Sequence, residues 1–268
     1  HDITCKVRVV VPVDDVVELW TVEIVNHSEQ ARSLSLFSYF PVGRLSPFHQ
    51  NAQFDPATNG ILYDSFPYYV EYQDYYTLKD GWNTVFTYTD VKAEACMVNV
   101  ADFVGNGTMA DPEALKSKVI PQLDTGADAE VDSASIFQHD LKLDPKGGDA
   151  LVNYAFGPAH NPEEAREVAQ SYMKPGGVET AFEAAQAHQD SFQSAISIET
   201  PDAEFDAFVN HWLPRRSLIC VRGMRFMSAP QGRNLLQDSM AGALIDPASS
   251  RAWLCKFYGF QHLDGWIP

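Results

Sequence analysis

Apolar and polar positions alternate through the first half of the chain. Val7–Val13 and Val16–Val25 are rich in Val, Ile, Trp and Thr, residues that suit a pleated, half-buried surface, and Pro12 with the Asp14–Asp15 pair separates them. Asn26–Gln30 reads as a turn, and Ser33–Phe40 follows as a strand, so the spacing predicts a hairpin between Val16–Val25 and Ser33–Phe40. Tyr68–Tyr76 and Thr84–Thr89 continue the β character. Residues 105–134 mix Gly, Asp, Ser and Ala with little periodicity and read as a long excursion. Ser135–Leu143 and Ala150–Phe156 return to strand, divided by a turn at Pro145–Gly148. Strands in such number with no helix between them predict an antiparallel β-sandwich.

The period then changes. Asn161, Pro162, Glu163 and Glu164 make a helix start: a capping amide, a proline where no N–H is needed, and two acids at the positive end of the helix dipole. That helix is expected to end near Lys174–Gly176, and a second to span Val178–Ala195. A third starts at Thr200–Asp202. Its Phe205, Phe208, Val209, Trp212 and Leu213 recur at helical spacing, which predicts a core-facing stripe, and Pro214 should end or kink it. Leu235–Ile245 is a further helix, and Asp246–Pro247 caps another running to about Phe260. The expected organisation is a β-sandwich over 1–160 that is incomplete at its N-terminus, a helical linker over 161–198, and the opening helices of an all-α domain over 199–268. A start at His1 and an end inside an aromatic-rich segment read as a piece of a longer protein.

Bulk composition narrows the partners. The chain has 268 residues, and 36 acidic side chains against 19 basic ones give a formal charge of −17. A phosphate backbone requires clustered Lys and Arg, so nucleic acid is not an expected partner. No apolar run reaches the length of a membrane-spanning helix. Cys5, Cys96, Cys220 and Cys255 lie far apart, which suggests free buried thiols and a cytoplasmic protein. Asn26 and Asn106 open N-x-S/T triplets, a pattern that arises often by chance. The eight histidines show no metal-ligand spacing, and no nucleophile-elbow or phosphate-loop motif is present.

Candidate chemistry gathers near the end. Arg222, Arg225 and Arg233 fall close to Gln231, Asn234, Gln237 and Asp238. Guanidinium forks suit carboxylates, phosphates or vicinal hydroxyls, and side-chain amides donate and accept toward a hydroxyl. From residue types alone, the cluster is either a site for a polar or anionic small molecule or an internal ion-pair network tying down a loop. Tyr68, Tyr69, Tyr72, Tyr75 and Tyr76 read as sheet packing ahead of sugar stacking. His211 reads as a satisfied neighbour of a core helix, and Asp55, Asp64 and Asp74 as turn or surface acids.

These residues resemble a known family. Asn210, Trp212 and Pro214 match the N-x-W-x-P helix, and Gly232, Arg233, Asn234, Gln237 and Asp238 the R-D/N-x-x-Q-D motif, of the inverting glycoside phosphorylases of glycoside hydrolase family 94. Glu18–Trp20 with Val22, Asn26–Ser28 and Leu34–Ser38 resemble the family's β-region. Tyr39–Gly43, Asn51–Ala52, Asn210–Arg215 and Pro230–Asn234 are most similar to its cellobionic acid phosphorylase branch. The resemblance implies a β-sandwich, a helical linker and an (α/α)6 barrel, assembled as a homodimer. It implies reversible phosphorolysis of a β-glucoside with inversion to α-glucose 1-phosphate, with inorganic phosphate as co-substrate and no cofactor or metal. It places Arg225, Arg233, Asn234, Gln237 and Asp238 in the pocket for the non-reducing glucose, with Arg222 as an alternative to Arg225. The general acid is expected beyond Pro268, so no residue of this chain takes the catalytic role.

Overall fold

The computed structural model describes residues 1–42, 48–67, 84–117, 128–129, 133–193, 195–223, 232–259 and 261–266. The chain forms two compact units, His1–Ala185 and Gln186–Pro268. In the first unit, strands β1 (Ile3–Val10), β2 (Glu18–Asn26), β4 (Phe48–Asp55), β5 (Gly60–Pro67), β6 (Thr84–Thr89), β8 (Asp128–Ala129) and β10 (Gly148–Ala159) make one antiparallel sheet in the order β1-β2-β10-β6-β5-β4-β8. Strands β3 (Arg32–Val42), β9 (Ser133–Leu143) and β7 (Ala95–Asn99) make a second, in the order β3-β9-β7. Phe40, Phe137, Leu141 and Leu143 of the smaller sheet pack on Ile24, Ile61, Tyr63, Val152 and Tyr154 of the larger one. This is the expected antiparallel sandwich.

Both outer faces are also covered. The short helix α1 (Val100–Val104), capped by the Asn99 side chain, packs Phe103 with Ala134 and Ile136 on the smaller sheet. Helices α3 (Pro162–Met173) and α4 (Gly177–Gln193) bring Ala165, Ala169, Val178 and Ala181 onto Leu19, Phe86, Tyr88 and Ala155 of the larger. Burial on two faces is why β9 is almost continuously buried instead of alternating. The segment 161–198 is therefore split: α3 and the start of α4 are packed on the sandwich, and the second unit begins within α4. Arg8 pairs with Glu179 and lies 4.3 Å over the Phe182 ring, fastening α4 to the edge strand β1.

Several local expectations need correction. Val16–Val25 and Ser33–Phe40 do not form a hairpin. Asn26–Gln30 carries the chain from one sheet to the other, while β2 pairs with β1 and β10. Asn26 is fully buried and bonds the carbonyls of Gln30 and Asp144 and the Ser28 hydroxyl, so the fold closes that side chain to modification. The excursion 105–134 contains a short helix α2 (Ala114–Ser117) and β8. None of the four cysteines is in a disulfide, and only Cys96 is buried. Asp64 is exposed as expected, whereas Asp55 is buried and held by Arg166. Tyr68, Tyr69, Tyr72, Asp74, Tyr75 and Tyr76 lie outside the described residues.

His139 sits at the centre of the sandwich, stacked on Phe137 and edge-on to Tyr154. It is 1% exposed, and neither ring nitrogen makes a hydrogen bond of ordinary geometry. Burial pushes its pKa below the usual 6.5, against the smaller opposing pull of the Lys92 backbone, Asp90 and Asp140. The folded protein thus holds this imidazole neutral while the unfolded chain takes up a proton. Stability from this group is full above the ordinary value of 6.5 and is lost as pH falls below it. Thermal melts at a series of pH values are expected to show His139→Phe matching wild type at neutral pH and losing less stability in acid. Parallel slopes for the two proteins would contradict this.

Candidate functional site

The second unit is helical throughout its described elements. Asp202 accepts from the amides of Glu204 and Phe205 and caps α5 (Ala203–Ala207). The chain then widens into a π-turn at Phe208–Trp212, where the Leu213 amide reaches the Phe208 carbonyl, before α6 (Leu213–Gly223) resumes. Pro214 explains the widening. A proline lacks an N–H and its ring presses on the carbonyl four residues earlier, here that of Asn210, so the backbone gains a residue instead of breaking. Asn210 itself faces inward to the preceding segment. Its side chain accepts from the Ile198 amide at 2.8 Å and donates to the Ile198 carbonyl at 2.9 Å. The asparagine of the N-x-W-x-P run is thus a backbone clamp, and Asn210→Ala is expected to cost about 2 kcal/mol in denaturant unfolding. A loss below a few tenths would refute the clamp.

The predicted stripe is helical but not buried. Phe205 and Phe208 are each 50% exposed, Trp212 62% and Leu213 41%. His211 is also exposed, not tucked against a core. The periodicity located the helix correctly; within this chain, no described element covers that face.

Helices α7 (Gly232–Ile245) and α8 (Pro247–Tyr258) build the candidate cavity. Leu235, Ser239, Gly242 and Ile245 form the buried side of α7, spaced to pack on α6 and α8. Arg233, Gln237, Met240 and Leu244 occupy the opposite, exposed side. Asp246 caps α8 by accepting from the Ser249 amide, with Pro247 at its first position, so α8 runs back antiparallel and ends beside the start of α7. There the Phe257 ring closes on Gly232. A Cβ at that position would stand 2.5 Å from Phe257 Cζ, so only glycine permits this approach without displacing the ring.

The resulting cavity measures about 550 Å3 and is lined by Gly232, Arg233, Leu236, Gln237, Met240, Phe257 and Tyr258. That volume falls within the roughly 300–1,000 Å3 of small-molecule sites. Polar groups gather at one end, where Arg233 presents its donor fork and Gln237 an amide. They stand in the first turns of α7, where the helix dipole favours negative or electron-rich groups. The rest of the described wall is apolar apart from the Tyr258 hydroxyl. No described lining residue is a carboxylic acid, thiol or imidazole, so the arrangement suits binding of a hydroxylated or anionic molecule, with the Tyr258 phenol as the one lining group of the described set that could exchange a proton.

Of the five residues expected in a sugar pocket, Arg233 and Gln237 meet here. Asn234 and Asp238 are half-buried on the neighbouring flank of α7 and do not line the cavity, and both engage other groups of the protein. Arg225 and Gln231 lie outside the described residues, as does the side chain of Arg222. The two aromatics, Phe257 and Tyr258, were not read as site residues. Their signal was the cap at Asp246–Pro247, which fixes where α8 ends relative to α7.

A second cavity of about 470 Å3 opens in the first unit between the Pro12–Asp15 loop and the α3–α4 turn. Several of its polar groups already have partners within the unit. Tyr172 donates to Asp15, Thr180 to the Gly176 carbonyl, and Ser171 to the Val168 carbonyl. Among the described residues no cluster of His, Cys, Asp and Glu suits a metal ion, and no helix is long and apolar enough to cross a membrane.

Comparison with known proteins agrees with the sandwich. The profile of the glycosyl hydrolase 94 supersandwich domain matches residues 1–175, so the chain belongs to glycosyl hydrolase family 94. Its relatives include a cellobionic acid phosphorylase of Neurospora crassa, 30% identical over 96% of this chain and 32% of that protein. A 3-O-beta-D-glucopyranosyl-beta-D-glucuronide phosphorylase of Paenibacillus borealis is 28% identical over 100% of this chain and 34% of its own length. A solabiose phosphorylase of the same organism is 24% identical over 99% of this chain and 35% of its own. The chain thus spans about a third of the length of these relatives.

Proposed function

We propose that this chain is the sandwich and first catalytic-domain helices of an inverting glycoside phosphorylase. In this reading the full-length protein reversibly phosphorolyses a β-glucosyl disaccharide, of cellobionic acid or cellobiose type, to α-glucose 1-phosphate. The observation that carries it is the match of nearly the whole chain, across both units, to three proteins named as phosphorylases. Two of those names specify an acidic disaccharide, a cellobionic acid and a glucuronide, which favours a substrate bearing a carboxylate. Helices α5 to α8 then open an (α/α)6 barrel, and the enzyme works as a cytoplasmic homodimer without cofactor.

The chemistry suits the cavity. An inverting hydrolase needs an acid and a base, with water held between them. A phosphorolytic enzyme dispenses with the base because phosphate is already an anionic nucleophile, and it needs cationic and amide donors to hold its ligands. In this reading Arg233 and Gln237 take the glucosyl unit from the cavity face of α7, Asn234 and Asp238 join them only where the pocket extends over the neighbouring flank, and Arg225 is assigned by the family resemblance alone. No residue of this chain is assigned the acid role. The decisive assay is glucose 1-phosphate release by the full-length protein with and without inorganic phosphate. Sugar release at equal rates in both conditions would instead identify an inverting hydrolase of the same layout. Calorimetry of the 268-residue chain with glucose and cellobionic acid tests the remaining alternative, a non-catalytic sugar-binding module. Weak or absent binding is expected there, because the apolar stripe from Phe205 to Leu213 is exposed and no described element covers it.

A further inference from the structure

We infer that Tyr258 is the stacking platform for the pyranose ring of the glucosyl unit, a specificity-determining residue at the cavity of Arg233 and Gln237. The inference rests on the proposed phosphorylase reading and adds to it a residue and a mode of recognition. Its starting point is the contrast between two neighbouring rings. Phe257 is 7% exposed and is used in packing against Gly232, whereas Tyr258, set at 64° to it with ring centroids 5.6 Å apart, is 52% exposed on the cavity wall. Packing of α8 on α7 therefore explains the first ring, whereas more than half of the second stays open to solvent among the described residues.

The arrangement has the two components that a pyranose requires. A β-glucosyl ring carries its hydroxyls around its rim and C–H bonds on its two faces. The rim needs donors and acceptors held at the side, and the face needs an apolar plane. Arg233 supplies donors only and Gln237 supplies both kinds. Tyr258 supplies the plane, and an aromatic ring presents its area at small cost in side-chain freedom. Leu236 and Met240 complete an apolar floor that cannot bond a hydroxyl, which directs the polar rim toward the start of α7. The guanidinium is the sole charged group among the described lining residues, so the cavity suits a neutral or anionic sugar over an amino sugar cation.

The test uses the full-length protein and titration calorimetry with α-glucose 1-phosphate, which presents the glucosyl unit whatever the acceptor. Tyr258→Phe keeps the ring, Tyr258→Leu keeps bulk without a π-face, and Tyr258→Ala removes both. Tyr258→Phe is expected to bind within twofold of wild type, while Tyr258→Leu and Tyr258→Ala weaken binding about tenfold. Affinity for inorganic phosphate alone should stay within twofold in all three, a pattern that general loosening of the unit would not give. Unchanged glucose 1-phosphate affinity in Tyr258→Leu and Tyr258→Ala overturns the inference, as does an equal loss in Tyr258→Phe. If Tyr258→Ala fails to fold, Tyr258→Leu against Tyr258→Phe decides. If wild type binds glucose 1-phosphate but shows no phosphate-dependent turnover, the phosphorylase reading fails and the stacking comparison still stands. If wild type does not bind it, both fail.

Discussion

Replacing Asp55 with alanine is expected to lower the unfolding free energy of the sandwich by about 3 kcal/mol, the largest loss of stability predicted for a single side chain of this protein. Asp55 ends β4 and is 7% exposed. One carboxylate oxygen accepts from the Ala57 amide, and the other accepts from the Thr58 hydroxyl and from Arg166 Nε at 2.8 Å. The residue therefore closes the β4–β5 turn and also ties it to α3, two connections that a Coulomb pair at the surface would not make. Burial alone would raise its pKa and is the largest single influence. Arg166, Thr58 and Ala57 together outweigh it and hold the carboxyl below the ordinary 3.8. A depressed folded pKa means the contribution is present above the unfolded value of 3.8 and disappears as pH falls through the lower, folded one. Chemical denaturation at pH 7 measures the loss. Asp55→Asn separates its parts, since the amide keeps an acceptor for the turn while the attraction to Arg166 is gone. A midpoint for Asp55→Ala equal to that of wild type would show the pair to be incidental.

Asp55 also illustrates what the sequence hid. As one acid among 36, in a turn flanked by Pro56 and Asn59, it gave no sign that a helix more than a hundred residues later would cover it. Local signals were reliable where the physics is local. Asn161 and Asp246 each cap a helix with the side chain the pattern implied, a further helix starts at Asp202 within the expected Thr200–Asp202, and Thr84–Thr89 is a strand with the expected limits. They failed where a nonlocal choice decides. The apolar run of Ser33–Phe40 after a tight turn is equally consistent with pairing to the previous strand or crossing to a second sheet, and the interior contacts of Phe40 select the crossing. Strands β4 and β5 leave no clear pattern, because FHQNAQFD has no β-branched residue and GILYDSFP buries Ile61, Leu62 and Tyr63 consecutively, without a period of two. In the site, residue types revealed the cluster, but helical geometry divides it. Positions 233 and 237 share the cavity face of α7, and 234 and 238 fall a hundred degrees round.

That division sets up the largest functional effect. On the proposed phosphorylase reading, Arg233→Ala in the full-length protein is expected to reduce kcat/KM for the disaccharide by about 100-fold, equivalent to about 2.7 kcal/mol of transition-state stabilisation. Its melting temperature should be unchanged, because an exposed side chain outside the packed face of α7 contributes little to stability. Arg233→Lys should recover only part of the loss, since an ammonium keeps the charge without the planar fork that spans two hydroxyls. Asp238→Ala is also expected to cut turnover heavily, but through a different route. Asp238 is half-buried and already engaged within the protein, so it acts on the sugar only if the proposed pocket extends over its flank of α7. The paired measurement of rate and melting temperature tells these cases apart. Slow turnover at an unchanged melting temperature makes Asp238 a sugar ligand alongside Arg233. Near-normal turnover with a lowered melting temperature makes it a structural support for α7, and the glucosyl pocket then rests on the 233–237 face alone.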